Sequence, residues 1–224
     1  QTVLKYGTDK HRETVCSELK GHWVDMCMDK YAHQVVLKLL YWGSPKLRLE
    51  LHGELQGNYR KLAVHNISSK LVDFIYASAM LSDSSVGWSI LHELFTDEFK
   101  VLKPVGNAPL AEVLKGKKSR RDAIMSDTKS IIIKGFNKNC VTRPLLAVIR
   151  EYWGCASWAE KDGLTELVRT QADKLKESAD GCQVLASMIA YGSAKNRKHI
   201  VKGLSSSCKE MATYQDTCLP VVRA

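Results

Sequence analysis

Gly7-Thr8-Asp9-Lys10-His11-Arg12 and Gly43-Ser44-Pro45-Lys46-Leu47-Arg48 share the pattern G-x-x-K-x-R, thirty-six positions apart. Gly192-Ser193-Ala194-Lys195-Asn196-Arg197 repeats it. A second pattern keeps the same interval: Glu18-Leu19-Lys20-Gly21 matches Glu54-Leu55-Gln56-Gly57. A third precedes the glycine, an apolar run ending in an aromatic: Leu4-Lys5-Tyr6-Gly7, Leu40-Tyr41-Trp42-Gly43, Glu151-Tyr152-Trp153-Gly154 and Ile189-Ala190-Tyr191-Gly192. Independent patterns on one interval mark an internal repeat of about 36 residues, in the range of helical solenoids.

Each unit reads as two helices. Val15 and Leu19 are spaced i, i+4 on a first helix from about Lys10 to Lys20, and Gly21 permits a close turn. Val35, Val36, Leu39 and Leu40 form the apolar stripe of a second helix, about Tyr31 to Trp42. Gly43 is expected to end it with a positive φ, and Pro45 suits the first turn of the next helix. Ser130-Ile131-Ile132-Ile133-Lys134, the most strand-like run, is flanked by helical pattern and reads as helix. The expected architecture is an all-α, right-handed-type, armadillo-like solenoid occupying 1–224 as one array, with repeats at about 8–43, 44–79, an irregular 80–121, 122–154, 155–192 and a partial 193–224. The irregular unit has a first helix from Ser84 to Phe95, a loop at 103–109, a short second helix from Leu110 to Leu114 and a basic run at 115–121 that reads as a mobile loop. Gln1 is expected to begin inside the second helix of an earlier repeat, so the array reads as truncated at both ends.

With 33 Lys+Arg against 24 Asp+Glu the net charge is +9, which suits an acidic partner such as nucleic acid. No apolar run approaches the roughly 20 residues of a membrane-spanning helix. Cys16, Cys27, Cys140, Cys155, Cys182, Cys208 and Cys218 include no C-x-x-C pair and read as free, buried thiols. The seven histidines have no metal spacing, and no P-loop or G-x-G-x-x-G is present, so neither an enzyme nor a cofactor is expected. Trp42 and Trp153, at helix ends, read as core residues.

Asp29-Lys30-Tyr31-Ala32-His33-Gln34-Val35-Val36-Leu37-Lys38 resembles the second helix of Pumilio (PUF) repeats, whose period is also 36. E-L-x-G, the aromatic-Gly helix end, G-x-x-K-x-R and the interrupted middle unit resemble the divergent nucleolar Puf-A/Puf6 branch, most weakly over 96–121. The resemblance implies a second-helix surface that faces RNA. On it, two side chains one turn apart read a base edge, and the one after the first stacks between bases. The edge pairs with their stackers are then His33 and Leu37 with Gln34, Ser69 and Asp73 with Lys70, Cys182 and Ala186 with Gln183, and Asp216 and Pro220 with Thr217. Pro144 blurs the register of the fourth regular repeat, where Arg143 points inward, and Gln1 stands where a reading Gln would. Leu37, Ala186 and Pro220 cannot hydrogen-bond a base, and none of the stackers is a flat platform. The scaffold is kept while the reading code is largely lost.

Backbone binding replaces it. Lys10, Arg12, Lys46, Arg48, Lys195 and Arg197 recur at first-helix starts, and Lys30, Lys38, Lys70 and Arg143 lie on or beside second helices, a basic stripe able to follow phosphates. The candidate RNA-contacting set is Lys30, His33, Gln34, Lys38, Lys46, Arg48, Ser69, Lys70, Arg143, Gln183, Lys195 and Arg197. The resemblance further implies a nucleolar, nuclear protein acting on pre-rRNA in large-subunit (pre-60S) assembly, binding RNA and to some extent DNA beside assembly factors or ribosomal proteins, with no membrane and no small-molecule substrate. A sequence-specific regulator of mRNA and an armadillo-like protein scaffold remain as alternatives.

Overall fold

A computed structural model describes every residue except Gln1, Asp83, 101–105, Lys117, Thr170 and Asp216, and describes the backbone alone at 80–82 and Lys100. The expectations for Gln1, Asp216, Lys117 and part of the 103–109 loop therefore lie outside the described residues. The chain folds as α1 (Thr2–Tyr6), α2 (Asp9–Glu18), α3 (Trp23–Met28), α4 (His33–Trp42), α5 (Pro45–Leu55), α6 (Tyr59–Ala63), α7 (Ser68–Ser82) and α8 (Ser84–Phe95). It continues as α9 (Leu110–Gly116), α10 (Arg121–Asn137), α11 (Arg143–Cys155), α12 (Trp158–Val168), α13 (Ala179–Tyr191), α14 (Ala194–Leu204), α15 (Cys208–Thr213) and α16 (Leu219–Arg223). Among the described residues there is no strand, and Ser130–Lys134 lies within α10.

The helices form two layers. In the second-helix layer α1, α4, α7, α11, α13 and α16 pack each on the next. In the other, α3 packs on α5 and α6, α6 on α8, and α8 on α10. One apolar core runs between the layers from Leu4 to Met211. The irregular unit shows its effect here. Its second helix, α9, is short and packs on α11, so α7 meets α11 directly.

Polar staples recur with the sequence period and join successive repeats. The Glu54 carboxylate accepts the Gly21 N–H at 2.9 Å, and Glu93 accepts the Gly57 and Tyr59 N–H groups at 2.7 and 3.1 Å. Gly21 and Gly57 sit at φ 82° and 83°, where a side chain would be strained. The E-L-x-G motif thus supplies both halves of a joint: its glycine turns the chain, and the glutamate one repeat later caps that turn. Further along, the Thr128 hydroxyl donates to the Phe95 carbonyl at 2.9 Å, and Asn196 donates to Asp162 at 3.3 Å.

The helix-ending glycines act differently from expectation. Gly43 has φ −71°, not a positive value. Its constraint is space: a Cβ there would stand 2.4 Å from the Leu39 carbonyl oxygen, and one at Gly7 or Gly192 would stand 2.3 or 2.4 Å from the equivalent carbonyl. Trp153 is buried as expected, but Trp42 is 47% exposed. The basic run is not a loop either. Lys115 and Gly116 end α9, Lys118–Arg120 is a 3₁₀ turn, and Arg120 pairs with Glu98 at 2.8 Å. All seven cysteines are free; Cys27, Cys140 and Cys182 are buried, while the other four are half-buried. Burial pushes the Cys27 thiol up to about 12, so it is an inert core thiol.

Candidate nucleic-acid interface

A groove of about 540 Å³ opens between α4 and α7 at the start of α11. Lys30, His33, Gln34, Leu37 and Tyr41 line one wall, Asn66, Lys70, Asp73 and Phe74 the other, and Arg143 closes one end.

The α4 wall is set by the D-K-Y-A turn. Asp29 Oδ1 accepts the Tyr31 and Ala32 N–H groups at 2.8 and 2.7 Å, which delays the helix to His33. Those hydrogen bonds, from Ala32 foremost, hold the Asp29 carboxyl below its usual range. The Lys30 ammonium then projects at the mouth, 5.4 Å from the Tyr31 ring centroid. His33 and Gln34 satisfy each other: the ring contacts the Asp29 carbonyl through Nδ1 at 3.0 Å and the Gln34 amide nitrogen through Nε2 at 2.7 Å. The tautomer with its hydrogen on Nδ1 meets both contacts. Along the same wall Tyr41, 57% exposed, stacks on Phe74 with centroids 4.7 Å apart.

At the far end Arg143 is clamped. Its guanidinium donates to Asp73 through Nε at 3.1 and 3.2 Å and through a terminal nitrogen at 2.7 Å, and its backbone N–H donates to Asp73 Oδ1 at 2.8 Å. The Asp73 carboxylate raises the Arg143 pKa, so the cation is fixed and locally neutralised. Among the described residues, the groove's unpaired positive charge therefore comes from Lys30 and Lys70.

Of the candidate set, the groove gathers Lys30, His33, Gln34, Lys70 and Arg143. Lys38 is half-buried on α4 and does not line it, and Gln183 is exposed further along on α13. Ser69 is corrected: at 3% exposure it is packed inside, so it cannot face a ligand. The remaining edge positions fail as readers for visible reasons. Leu37 is apolar, Asp73 is held by Arg143, and Cys182, Ala186 and Pro220 are buried; at the stacking position between Asp216 and Pro220, the Thr217 hydroxyl donates to the Met211 carbonyl at 3.1 Å.

The periodic basic residues do not continue this groove. Lys46 and Arg48 open α5, and Lys195 and Arg197 open α14, all in the first-helix layer. Arg48 donates to the Gly43 carbonyl through Nε and to the Tyr41 carbonyl through a terminal nitrogen, both at 3.1 Å. Arg12 does the same to Leu4 at 2.9 Å and Lys5 at 3.4 Å. These arginines cap the carbonyl end of the preceding helix. Sequence reasoning missed Tyr41, Asn66 and Phe74 as groove residues. Tyr41 alone carried a signal, its place in the aromatic helix end. Among the described residues no group of three or more His, Cys, Asp or Glu side chains is placed to hold a metal, and no helix is long and apolar enough to cross a membrane.

No protein-family model matches the chain. Rat Pumilio homolog 3 is 26% identical over 227 residues, covering 100% of this chain and 35% of the relative. Pumilio homology domain family member 6 of Schizosaccharomyces pombe is 26% identical over 226 residues, with the same coverage. The chain thus spans 35% of the length of these curated relatives. The crystal structure of human Puf-A superimposes with a TM-score of 0.87 at 23% identity, over 99% of this chain and 43% of that one. A second crystal structure, of human Puf-A in complex with DNA, gives 0.86. With its period, its helix layers and these likenesses together, the chain is a divergent PUF-like protein.

Proposed function

We propose that this protein binds nucleic acid, RNA foremost, through the sugar-phosphate backbone and with little regard to base sequence. The observation that carries the reading is the groove between α4 and α7, where Lys30 and Lys70 stand over walls whose base-reading positions are apolar, buried or already paired. Ammonium groups of this kind attract phosphate without discriminating bases. The DNA held by human Puf-A supports the same ligand class for this fold. We further propose the setting that the resemblance implies: the nucleolus, with pre-rRNA of the large subunit as the RNA, and pre-60S assembly factors or ribosomal proteins as neighbours.

The test is a salt titration of binding to unrelated RNA sequences. Affinity falls with salt alike for all of them, and Lys30→Glu/Lys70→Glu weakens all equally while lowering the salt slope by roughly 1–2. A sharp preference for one short RNA, or affinity insensitive to salt, overturns the reading in favour of an mRNA regulator or a protein scaffold. Co-sedimentation of the full-length tagged protein with large-subunit precursors tests the setting.

A further inference from the structure

The motif that joins one repeat to the next has a part the groove does not use. Tyr6, Trp42 and Tyr191 each immediately precede a helix-ending glycine, and each is followed four positions later by a lysine: Lys10, Lys46 and Lys195. The three aromatics are 74%, 47% and 64% exposed. All three lysines are exposed; Lys46 makes only a loose 3.9 Å contact with Glu50, itself exposed. Gly43 and Ser44 separate α4 from α5, and Gly192 and Ser193 separate α13 from α14, so Trp42 and Tyr191 each end one helix while Lys46 and Lys195 lie in the first turn of the next, at the same edge of the two-layer stack; at Tyr6 the ammonium over the ring, 4.9 Å from its centroid, is that of Lys5.

The fourth copy acts as an internal control. Trp153-Gly154 has Ser157 in place of the lysine, and there Trp153 is 8% exposed. The reason is visible: α11 runs through Gly154 to Cys155, and a Cβ at Gly154 would meet nothing, so no helix end turns the ring outward. The exposed ring and the lysine four positions on thus occur together in three copies and are both missing in the fourth, where the ammonium over the buried Trp153 ring, 5.6 Å from its centroid, is that of Lys161. Burial would have been the favourable course for each ring, since it removes apolar surface from water. At Tyr191 the exposed surface is enlarged by Trp158, also exposed, with ring centroids 6.2 Å apart.

We propose that these edge pairs bind single-stranded nucleic acid, each ring stacking on an unpaired base and each lysine meeting the adjoining phosphate. A flat ring beside a cation matches that ligand and not a duplex, whose base faces are covered. The proposal rests on the nucleic-acid reading above but uses a different surface, so the strand form of the ligand separates the two.

The experiment is equilibrium binding of the protein to a single-stranded RNA and to the duplex it forms with its complement. The triple variant Tyr6→Ala/Trp42→Ala/Tyr191→Ala is compared with the corresponding triple Phe variant, and thermal melting verifies folding. The Ala variant loses about tenfold or more on the single strand and little on the duplex. The Phe variant retains single-strand affinity. Equal losses on both strands, no loss on either, or a Phe variant as weak as the Ala variant overturns the proposal. If Lys30→Glu/Lys70→Glu weakens both ligands while the Ala triple weakens neither, the groove reading stands and the edge proposal falls. If the unaltered protein binds neither ligand, both fall.

Discussion

Asp73 and Arg143 stand seventy positions apart in the chain, yet they meet in a two-oxygen ion pair with a shortest contact of 2.7 Å, reinforced by the Arg143 backbone N–H. The pair joins α7 to α11 at the place where the irregular unit contributes no full second helix. It also removes a positive charge from the groove.

Asp73→Asn therefore acts in two directions. Stability falls by about 1 kcal/mol, the value of a well-aligned but partly exposed pair. Nucleic-acid affinity rises a few-fold, because Arg143 becomes a third free cation in the groove. Chemical denaturation and binding isotherms on the same preparation check both signs.

Arg48→Gln costs about 1 kcal/mol of stability, since the Tyr41 and Gly43 carbonyls lose a charged donor. Lys46→Gln, two positions earlier, leaves stability unchanged. Paired melting curves separate the arginine's capping role from its neighbour's exposed charge.

Glu93→Ala is expected to destabilise by about 3 kcal/mol, because a buried carboxylate is lost and two N–H groups are left without it. Glu54→Ala, the same motif position one repeat earlier, costs about 1 kcal/mol or less, as the Gly21 N–H it caps is exposed to water. Equal losses from the two substitutions would contradict this account of the staple.

The Glu160 carboxyl fixes an acid-range prediction. Burial alone would push it up, but Arg121, at 3.0 Å, and the Ser157 N–H outweigh burial and hold it at about 2, against an ordinary value of 4.5. A depressed carboxyl contributes stability fully above the unfolded value and loses it as pH falls. The stability gap between the unaltered protein and Glu160→Gln is thus full above about pH 4.5 and closes toward pH 2. Denaturant midpoints across that window measure it.

The repeat, the two-helix unit and the shortened α9 were legible in the sequence, because each is carried by local spacing; Lys30 and Lys70 were placed on the second-helix surface by the resemblance to PUF repeats. Four things were not legible. Arg48 and Lys46 recur with the same period, so periodicity could not separate the residue that caps a helix from the one that faces solvent. Trp42 and Trp153 both stand before glycine, and whether the helix stops there depends on the path of the chain beyond that glycine: at 43 a Cβ would strike a carbonyl, and at 154 it would meet nothing. The pairing of Asp73 with Arg143 is a tertiary contact with no local trace, as is the burial of Ser69 beneath the α7 surface.

The Glu54–Gly21 and Glu93–Gly57 staples give the array a mechanical polarity. Each glutamate belongs to the later repeat and closes a turn in the earlier one, so at these two joints peeling from the C-terminal side removes the cap on the unit behind it. Peeling from the N-terminal side discards turns and leaves the remaining caps where they are. Under load the two directions of unzipping should therefore meet unequal resistance, with the C-terminal approach weakening the next joint before reaching it.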